Sequence, residues 1–346
     1  MDATVIGILV LDGLSNGAVY ALLGMALVLL FSVTRVIFVP QGELVAYGAL
    51  SMAMLQAGQT PGTVWLLLGS AGLAALADIV DLLRRRAGAP EWLRTLAAEL
   101  TAPLALSLLT IWAAPRQWPL LVQAALSLAL VTLLGRRIYR LAFESLADAS
   151  VLVLLIVSVG VHTVLQGLGL IFFGAEGFRP PPFWDERFTV GALTLSGQTL
   201  ITWVSSGLLI ALLALYFSRT LQGKALQATA VNRLGARLMG ISSQNAGRTA
   251  FTLAAFIGGL SGLLIGPTTT VFYDSGFLIG LKGFVAAILA GLSSFVVAGA
   301  SALGVGLLES FGAFWASSYK EVIVFTAILP GLLWRSLLEG HHEDDE

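Results

Sequence analysis

The chain has 346 residues, 57% of them hydrophobic and 11% charged, well under the roughly 25% charge of an average soluble domain. A mean hydropathy of +0.89 excludes an ordinary water-soluble globule, and a formal net charge of −1 excludes the basic field that draws in nucleic acid. There is no cysteine, so disulfides, thiolate metal sites and cysteine nucleophiles are excluded by count.

Met1-Asp2-Ala3 lacks the basic start of a secretory signal, and the apolar run from Val5 to Val33 is longer than a signal's core, so it reads as a retained first span. Further apolar segments fall at about 43–58, 62–80, 99–114, 119–135, 151–173, 198–217, 249–272, 281–297, 299–316 and 321–338. They predict an all-α polytopic transmembrane bundle of about eleven spans. Within the first span Gly13-Leu14-Ser15-Asn16-Gly17 fits the G-x-S-x-G pattern. A hydrolase elbow follows a strand, however, and this one lies in an apolar helix, so Gly13 and Gly17 read as a small-residue packing face. Gly258, Gly262 and Gly266 repeat that spacing later in the chain, as do Gly276 and Gly280.

At the start of the second segment, Phe38-Val39-Pro40-Gln41-Gly42-Glu43 interrupts the apolar pattern. Proline removes a backbone donor and biases its predecessor away from helix, and broken helices of this kind border substrate pathways. A carboxylate such as Glu43 costs about 2.5–3.5 kcal/mol at the centre of the hydrocarbon. The alternative is a helix cap at the cytoplasmic edge beside Arg35.

Orientation follows from basic residues in short loops, which stay cytoplasmic. Arg136, Arg137 and Arg140 precede the 151–173 segment. Arg219, Lys224, Arg233, Arg237 and Arg248 lie beyond the next one, with no Asp or Glu between 219 and 248. Both loops belong inside, which puts the Pro-rich, mixed-charge stretch 174–197 outside, the N-terminus outside and the C-terminus inside. Arg84, Arg85 and Arg86 also fall inside on this count. The lone intraspan histidine, His162, reads as a satisfied buried side chain rather than a ligand.

In the long basic loop, Val231, Leu234, Leu238 and Ile241 are spaced 3, 4 and 3 apart, which predicts one short amphipathic helix with Arg233 and Arg237 on another face. It is suited to lying on anionic lipid or to docking in a groove of a partner protein. A second interrupted helix start follows at 273–284, where Tyr273, Asp274 and Lys282 sit among glycines. Paired breaks, one in each half, point to a midplane site, and Gln41, Glu43, Thr268, Thr269, Tyr273 and Lys282 are its candidate pathway residues. The alternative for Lys282 is an outer loop with the ammonium snorkelling to headgroups. There is no Walker A cradle and no H-E-x-x-H pair, and no nucleophile or acid/base cluster fits an enzyme. The chain therefore reads as a non-enzyme that binds no cofactor or metal, and any ATP drive must come from another subunit.

Several stretches together resemble a known family: Gly13-Leu-Ser-Asn-Gly-Ala-Val-Tyr-Ala-Leu22; Val33-Thr-Arg-Val36 with Gln41-Gly-Glu43; Gly223-Lys-Ala225 through Leu238-Met-Gly-Ile241; Leu281-Lys-Gly-Phe-Val-Ala-Ala-Ile-Leu-Ala-Gly291; and Ser318-Tyr-Lys-Glu-Val322. The chain resembles the LivH-type permeases of bacterial branched-chain amino acid ABC importers. The resemblance implies one half of a translocation pore in the bacterial inner membrane. It implies, as partners, a second homologous permease, ATP-binding subunits that hydrolyse the ATP, and an extracytoplasmic solute-binding protein. It implies a coupling helix carried by Gly223, Val231, Arg233, Leu234, Arg237, Leu238, Gly240 and Ile241. It also implies one permease domain over 1–338 with a cytoplasmic coupling loop at 219–248; against the family pattern, about 75–120 reads as inserted helices, and the acidic composition of 339–346 reads as a disordered tail.

The chain departs from the family where Val39-Pro40-Gln41-Gly42-Glu43 replaces the usual Ala-His-Gly-Glu, and the family's Arg-Pro-x-Gly ending is missing after Leu338. Relatives import urea or short amides, so a urea or amide permease stays open beside the branched-chain amino acid reading, as does a stand-alone secondary transporter.

Overall fold

The computed structural model describes residues 2–339 apart from 86, 87 and 192, so Arg86 and the tail at 340–346 lie outside the described residues. The helices are α1 (Ala3–Thr34), α2 (Gln41–Gln56), α3 (Gly62–Arg85), α4 (Ala89–Ala113), α5 (Leu120–Ile138), α6 (Val151–Phe173) and α7 (Gly197–Arg219). They continue as α8 (Leu221–Val231), α9 (Arg233–Leu238), α10 (Ser243–Ile265), α11 (Ser275–Leu289), α12 (Phe295–Trp315), α13 (Lys320–Thr326) and α14 (Ile328–Glu339). A small antiparallel hairpin, β1 (Arg187–Val190) and β2 (Leu193–Ser196), precedes α7. Among the described residues, eight helices are long and apolar enough to cross a membrane. The chain is an all-α polytopic membrane protein.

Every predicted apolar segment falls largely on helix, with three differences. The 249–272 segment is helical only as far as Ile265, where α10 ends. The 281–297 segment is displaced to α11, because helix starts at Ser275 within the Gly-rich stretch and is closed by Gly291 (φ 61°) and Leu292 (φ 55°) in the left-handed region. Lys282 therefore lies inside a helix and not in an outer loop. The last segment breaks at Ala327 into α13 and α14. Arg137 belongs to the last turn of α5 and Arg140 to a π-helical continuation of it.

The core is made by α1 and α10 and the helices packed on them. Helix α1 lies along α12 and crosses α10 and α11, while α10 lies against α2 and α5. Glycines set these approaches: a Cβ at Gly13 or Gly17 would stand 2.9 Å from the Cα of Leu307 or Leu303, and one at Gly262 would strike the Val45 carbonyl. The spacing that mimicked a hydrolase elbow is thus a packing face, and the Ser15 hydroxyl donates to the Leu11 carbonyl at 2.7 Å.

The two halves repeat one arrangement. Helix α1, an irregular segment at 35–40 and the short α2 are matched by α10, an irregular segment at 266–274 and the short α11. Gly42 and Gly276 are each the second residue of their helix, and a Cβ on either would strike the other's carbonyl. The N-termini of α2 and α11 therefore meet backbone to backbone inside the protein.

Candidate polar site at the crossing of two helix starts

Helix α1 ends at Arg35, whose left-handed φ of 61° turns the chain back. The following segment re-enters the core, with Val36 and Phe38 buried. Its backbone finds a partner on α6, where the Val39 N–H donates to Ser158 Oγ at 2.9 Å. Pro40 is the N-cap of α2 and supplies no side-chain cap. From there α2 runs along α6: Glu43 faces His162, and the Tyr47 hydroxyl donates to the Leu165 carbonyl at 2.5 Å. His162 lies near the middle of the 23-residue α6, so α2 begins about halfway along a full-length helix.

Glu43 is 0% exposed and Gln41 1%. Gln41 Nε2 donates to the Ala254 carbonyl at 2.9 Å, but its Oε1 receives no hydrogen bond. Neither oxygen of Glu43 meets hydrogen-bond geometry with a donor among the described residues, although His162 Nδ1 stands 2.7 Å from Oε1. Glu43 lies in the first turn of α2, as a cap would, but the turn is placed against the middle of α6 and not at an edge of the bundle. The reading of His162 as satisfied is corrected, since among the described residues its Nδ1 has no partner in hydrogen-bond geometry and leans on a buried carboxylate. The imidazole packs on Phe277 of α11, with ring centroids 4.7 Å apart and planes at 33°.

Lys282 belongs to a second buried cluster. It is 5% exposed, and its Nζ lies 2.5 Å from Glu309 Oε1 on α12 and 3.2 Å from Glu321 Oε1 on α13. The Tyr20 hydroxyl of α1 donates to Glu309 Oε2 at 2.5 Å. The snorkelling alternative for Lys282 is corrected by this burial. Tyr273 is half-buried and borders Gly169 of α6 beside Tyr47. Thr268 and Thr269 are exposed past the end of α10, and the Thr268 hydroxyl is engaged by the Ile265 carbonyl at 2.7 Å. The structure thus brings Gln41 and Glu43 together, with Tyr273 nearby along α6, and places Lys282 and the two threonines elsewhere.

The long basic loop is two helices and not the single one predicted. Asn232, in extended conformation, ends α8 and starts α9, its side chain accepting from the Gly235 N–H at 2.8 Å. Val231 therefore closes one helix while Leu234 and Leu238 sit on the next. Gly223 lets α8 fold tightly against the end of α7, since a Cβ there would stand 2.7 Å from the Phe217 Cα. Gly240 (φ 85°) turns the chain past Ile241 into α10. Leu221, Val231, Leu234, Leu238 and Met239 are all largely exposed. Arg237 pairs with Asp148 and donates through Nε to Ser243 Oγ at 2.8 Å, Arg233 approaches Asp148 at 3.8 Å, and Arg248 makes a two-pronged pair with Glu144. These bonds tie the loop to residues 144–149, leaving a cleft of about 610 Å³ between them.

Glu309, Glu321, Tyr20 and Ser158 were not singled out from sequence. Glu309 carried a usable signal, a carboxylate inside the apolar 299–316 run, because ionisable groups within spans need partners. Among the described residues no three His, Asp or Glu side chains gather in a way that could hold a metal ion.

Comparison with known proteins bears on this arrangement. Residues 9–332 match the family model described as branched-chain amino acid transport system, permease component. The chain is 28% identical over 226 residues to the high-affinity branched-chain amino acid transport system permease protein BraD of Pseudomonas aeruginosa, covering 63% of this chain and 74% of the relative. It is 25% identical over 206 residues to the permease protein LivH of Escherichia coli K12, covering 58% of this chain and 67% of that relative. The LivH of Salmonella typhimurium matches at the same 25% identity. No solved structure matches. With the family model spanning nearly all of the helical bundle, the chain belongs to the permease components of branched-chain amino acid transport systems.

Proposed function

We propose that this permease is one half of the membrane pore of an ABC importer. It carries a small amino acid, branched-chain by analogy with its relatives, into the cytoplasm by alternating access, while ATP is hydrolysed on a partner subunit. The partners are ATP-binding subunits, a second homologous permease and an extracytoplasmic solute-binding protein, and the site of action is the bacterial inner membrane. The observation that carries the reading is the exposed apolar surface of α8 and α9. Leu221, Val231, Leu234, Leu238 and Met239 face outward on a basic, hydrophilic loop, where exposed large apolar groups mark an interaction site. Helix-in-groove docking uses such anchors.

The same loop is bonded to 144–149 through Asp148 and Glu144, which supports placing both basic loops at one cytoplasmic end. Residues 174–197 and 266–274 meet at the Phe178–Val271 bridge, which supports the outside for both. On this reading the N-terminus is outside, the C-terminus inside, and eleven segments cross or enter the bilayer within one domain over 1–338. The pathway runs past Gln41, Glu43 and Tyr273, with Thr268 and Thr269 at its outer end and Lys282 bracing α11 beside it. The region 75–120 adds α4 and the end of α3, and 219–248 is the coupling loop.

The test is affinity capture of the tagged chain from native membranes, mass spectrometry of what co-purifies, and ATPase assay of the complex. An ATP-binding subunit is expected in the wild-type eluate, and Leu234→Glu is expected to lower its recovery at least fivefold. A chain that purifies alone and transports in liposomes without ATP overturns the reading in favour of a secondary transporter.

A further inference from the structure

Among the described residues, the crossing of α2 and α11 leaves three buried oxygen atoms with no partner in hydrogen-bond geometry: both oxygens of Glu43 and Oε1 of Gln41. Carboxylate and amide oxygens only accept, so each calls for a donor from elsewhere. His162 Nδ1 approaches to 2.7 Å from Glu43 Oε1 but off hydrogen-bond geometry, and the backbone N–H of Glu43 itself lends its carboxyl some support. An ammonium group matches what is missing, since it brings three N–H donors and a positive charge against a carboxylate. We infer that Glu43 and the side-chain carbonyl of Gln41 form the seat for the ammonium group of the solute in transit, and that His162 covers this seat while it is empty. The inference rests on the importer reading and assigns the part of the solute that this site recognises.

The two members of the pair are held differently. Gly42 is clamped between Gly276 and Gly280, with a Cβ at Gly280 only 2.9 Å from the Gly42 Cα, so the backbone that carries Glu43 has no room to shift. His162 comes from α6, whose outer face is largely exposed, and its own side chain retains 13% exposure. The imidazole is therefore the member able to swing away, sliding over the face of Phe277. Lys282 offers no competing seat for a carboxylate, because Glu309 and Glu321 already engage it. A neutral amide or urea brings donors but no charge to set against the Glu43 carboxyl group.

The experiment is uptake of radiolabelled leucine by the complete importer, with its ATP-binding subunits, second permease and solute-binding protein, in ATP-loaded proteoliposomes. Glu43→Gln is expected to lower uptake at least tenfold, and Glu43→Asp to keep it within about threefold of wild type. The leucine uptake that His162→Ala supports, normalised to its own uninhibited rate, is expected to be at least fivefold more sensitive than wild type to inhibition by methylammonium, which enters the uncovered seat. Equal sensitivity of His162→Ala and wild type to methylammonium overturns the seat, as does wild-type uptake by Glu43→Gln. Should Glu43→Gln not assemble, the methylammonium comparison decides alone, because it leaves Glu43 in place. Absence of ATP-driven leucine uptake by the wild-type complex overturns the importer reading itself, and the seat with it.

Discussion

A lysine inside an apolar bundle is tolerated because of what surrounds it. Lys282 is held between Glu309 and Glu321, with the Tyr20 hydroxyl occupying the other oxygen of Glu309. The four residues come from α11, α12, α13 and α1, so this one cluster fixes the position of the short α13 against the core. Removing one partner from a buried ion pair costs about 3–5 kcal/mol, because the remaining charge stays buried and unpaired. Lys282→Ala is accordingly expected to destabilise the protein by about that amount, whereas Lys282→Ala with Glu309→Gln recovers part of the loss. Thermal unfolding followed by size-exclusion chromatography in detergent checks this, and equal melting of Lys282→Ala and wild type would remove the cluster from any structural role. The pair of Glu43 with His162 differs in kind. Among the described residues it leaves oxygens without donors where the Lys282 cluster satisfies most of its own, and the proposed ammonium seat rests on that contrast.

At the scale of elements, α9 is six residues long, too short to be stable by itself. Its hold on the protein comes from Arg237 and Arg233 on Asp148, and from the Asn232 cap at its start. Asp148 is 72% exposed on its side chain, and exposed ion pairs contribute about 0–1 kcal/mol. Asp148→Arg is therefore expected to leave the melting temperature nearly unchanged while loosening the link between α9 and the 144–149 segment. The ratio of solute imported to ATP hydrolysed should fall several-fold, and Asp148→Arg combined with Arg237→Asp should restore it. A ratio unaffected by the single change would show that α9 transmits nothing through Asp148. The elements also show which parts of this protein the sequence makes legible. Long apolar runs such as 151–173 coincide with α6 because membrane-spanning helices need continuous apolar length. The start of α2 is legible because Pro40 and Gly42 act locally. The break at Asn232 is not, because Val231, Leu234, Leu238 and Ile241 keep helical spacing across it while the Asn side chain competes for the backbone. The partners of Glu43 and Lys282 are illegible for a different reason. His162 lies more than a hundred residues from Glu43 along the chain, and Glu309 and Glu321 meet Lys282 only once separate helices have packed.

At the scale of the molecule, the repeat of long helix, irregular segment and short helix ties the two ends of the bundle to one central crossing. The end assigned to the cytoplasm is fastened by side-chain ion pairs between 144–149 and the α8–α9 loop. The opposite end is fastened by backbone: Phe178 and Val271 exchange N–H···O bonds of 2.9 Å in both directions, and Arg179 Nε donates to the Pro267 carbonyl at 3.0 Å. The 266–274 segment held in this way leads directly into α11, whose first turn sets Gly276 against Gly42 and Phe277 against His162. On the proposed importer reading, opening of this end draws on the same residues that face Glu43, so a lock at Phe178 and Val271 should act on the central crossing from a distance. The chain suits this test because it has no cysteine of its own. Residues that exchange both hydrogen bonds across an antiparallel pair have Cα atoms about 5.5 Å apart, inside the roughly 4.4–6.8 Å that a disulfide spans. Phe178→Cys with Val271→Cys is therefore expected to oxidise readily and to cut solute uptake by the assembled importer at least tenfold, with recovery on adding reductant and no loss in either single variant. Uptake that continues with the bridge closed would show that the outer end opens elsewhere, and that 266–274 is a fixed support for α11 with no part in its motion.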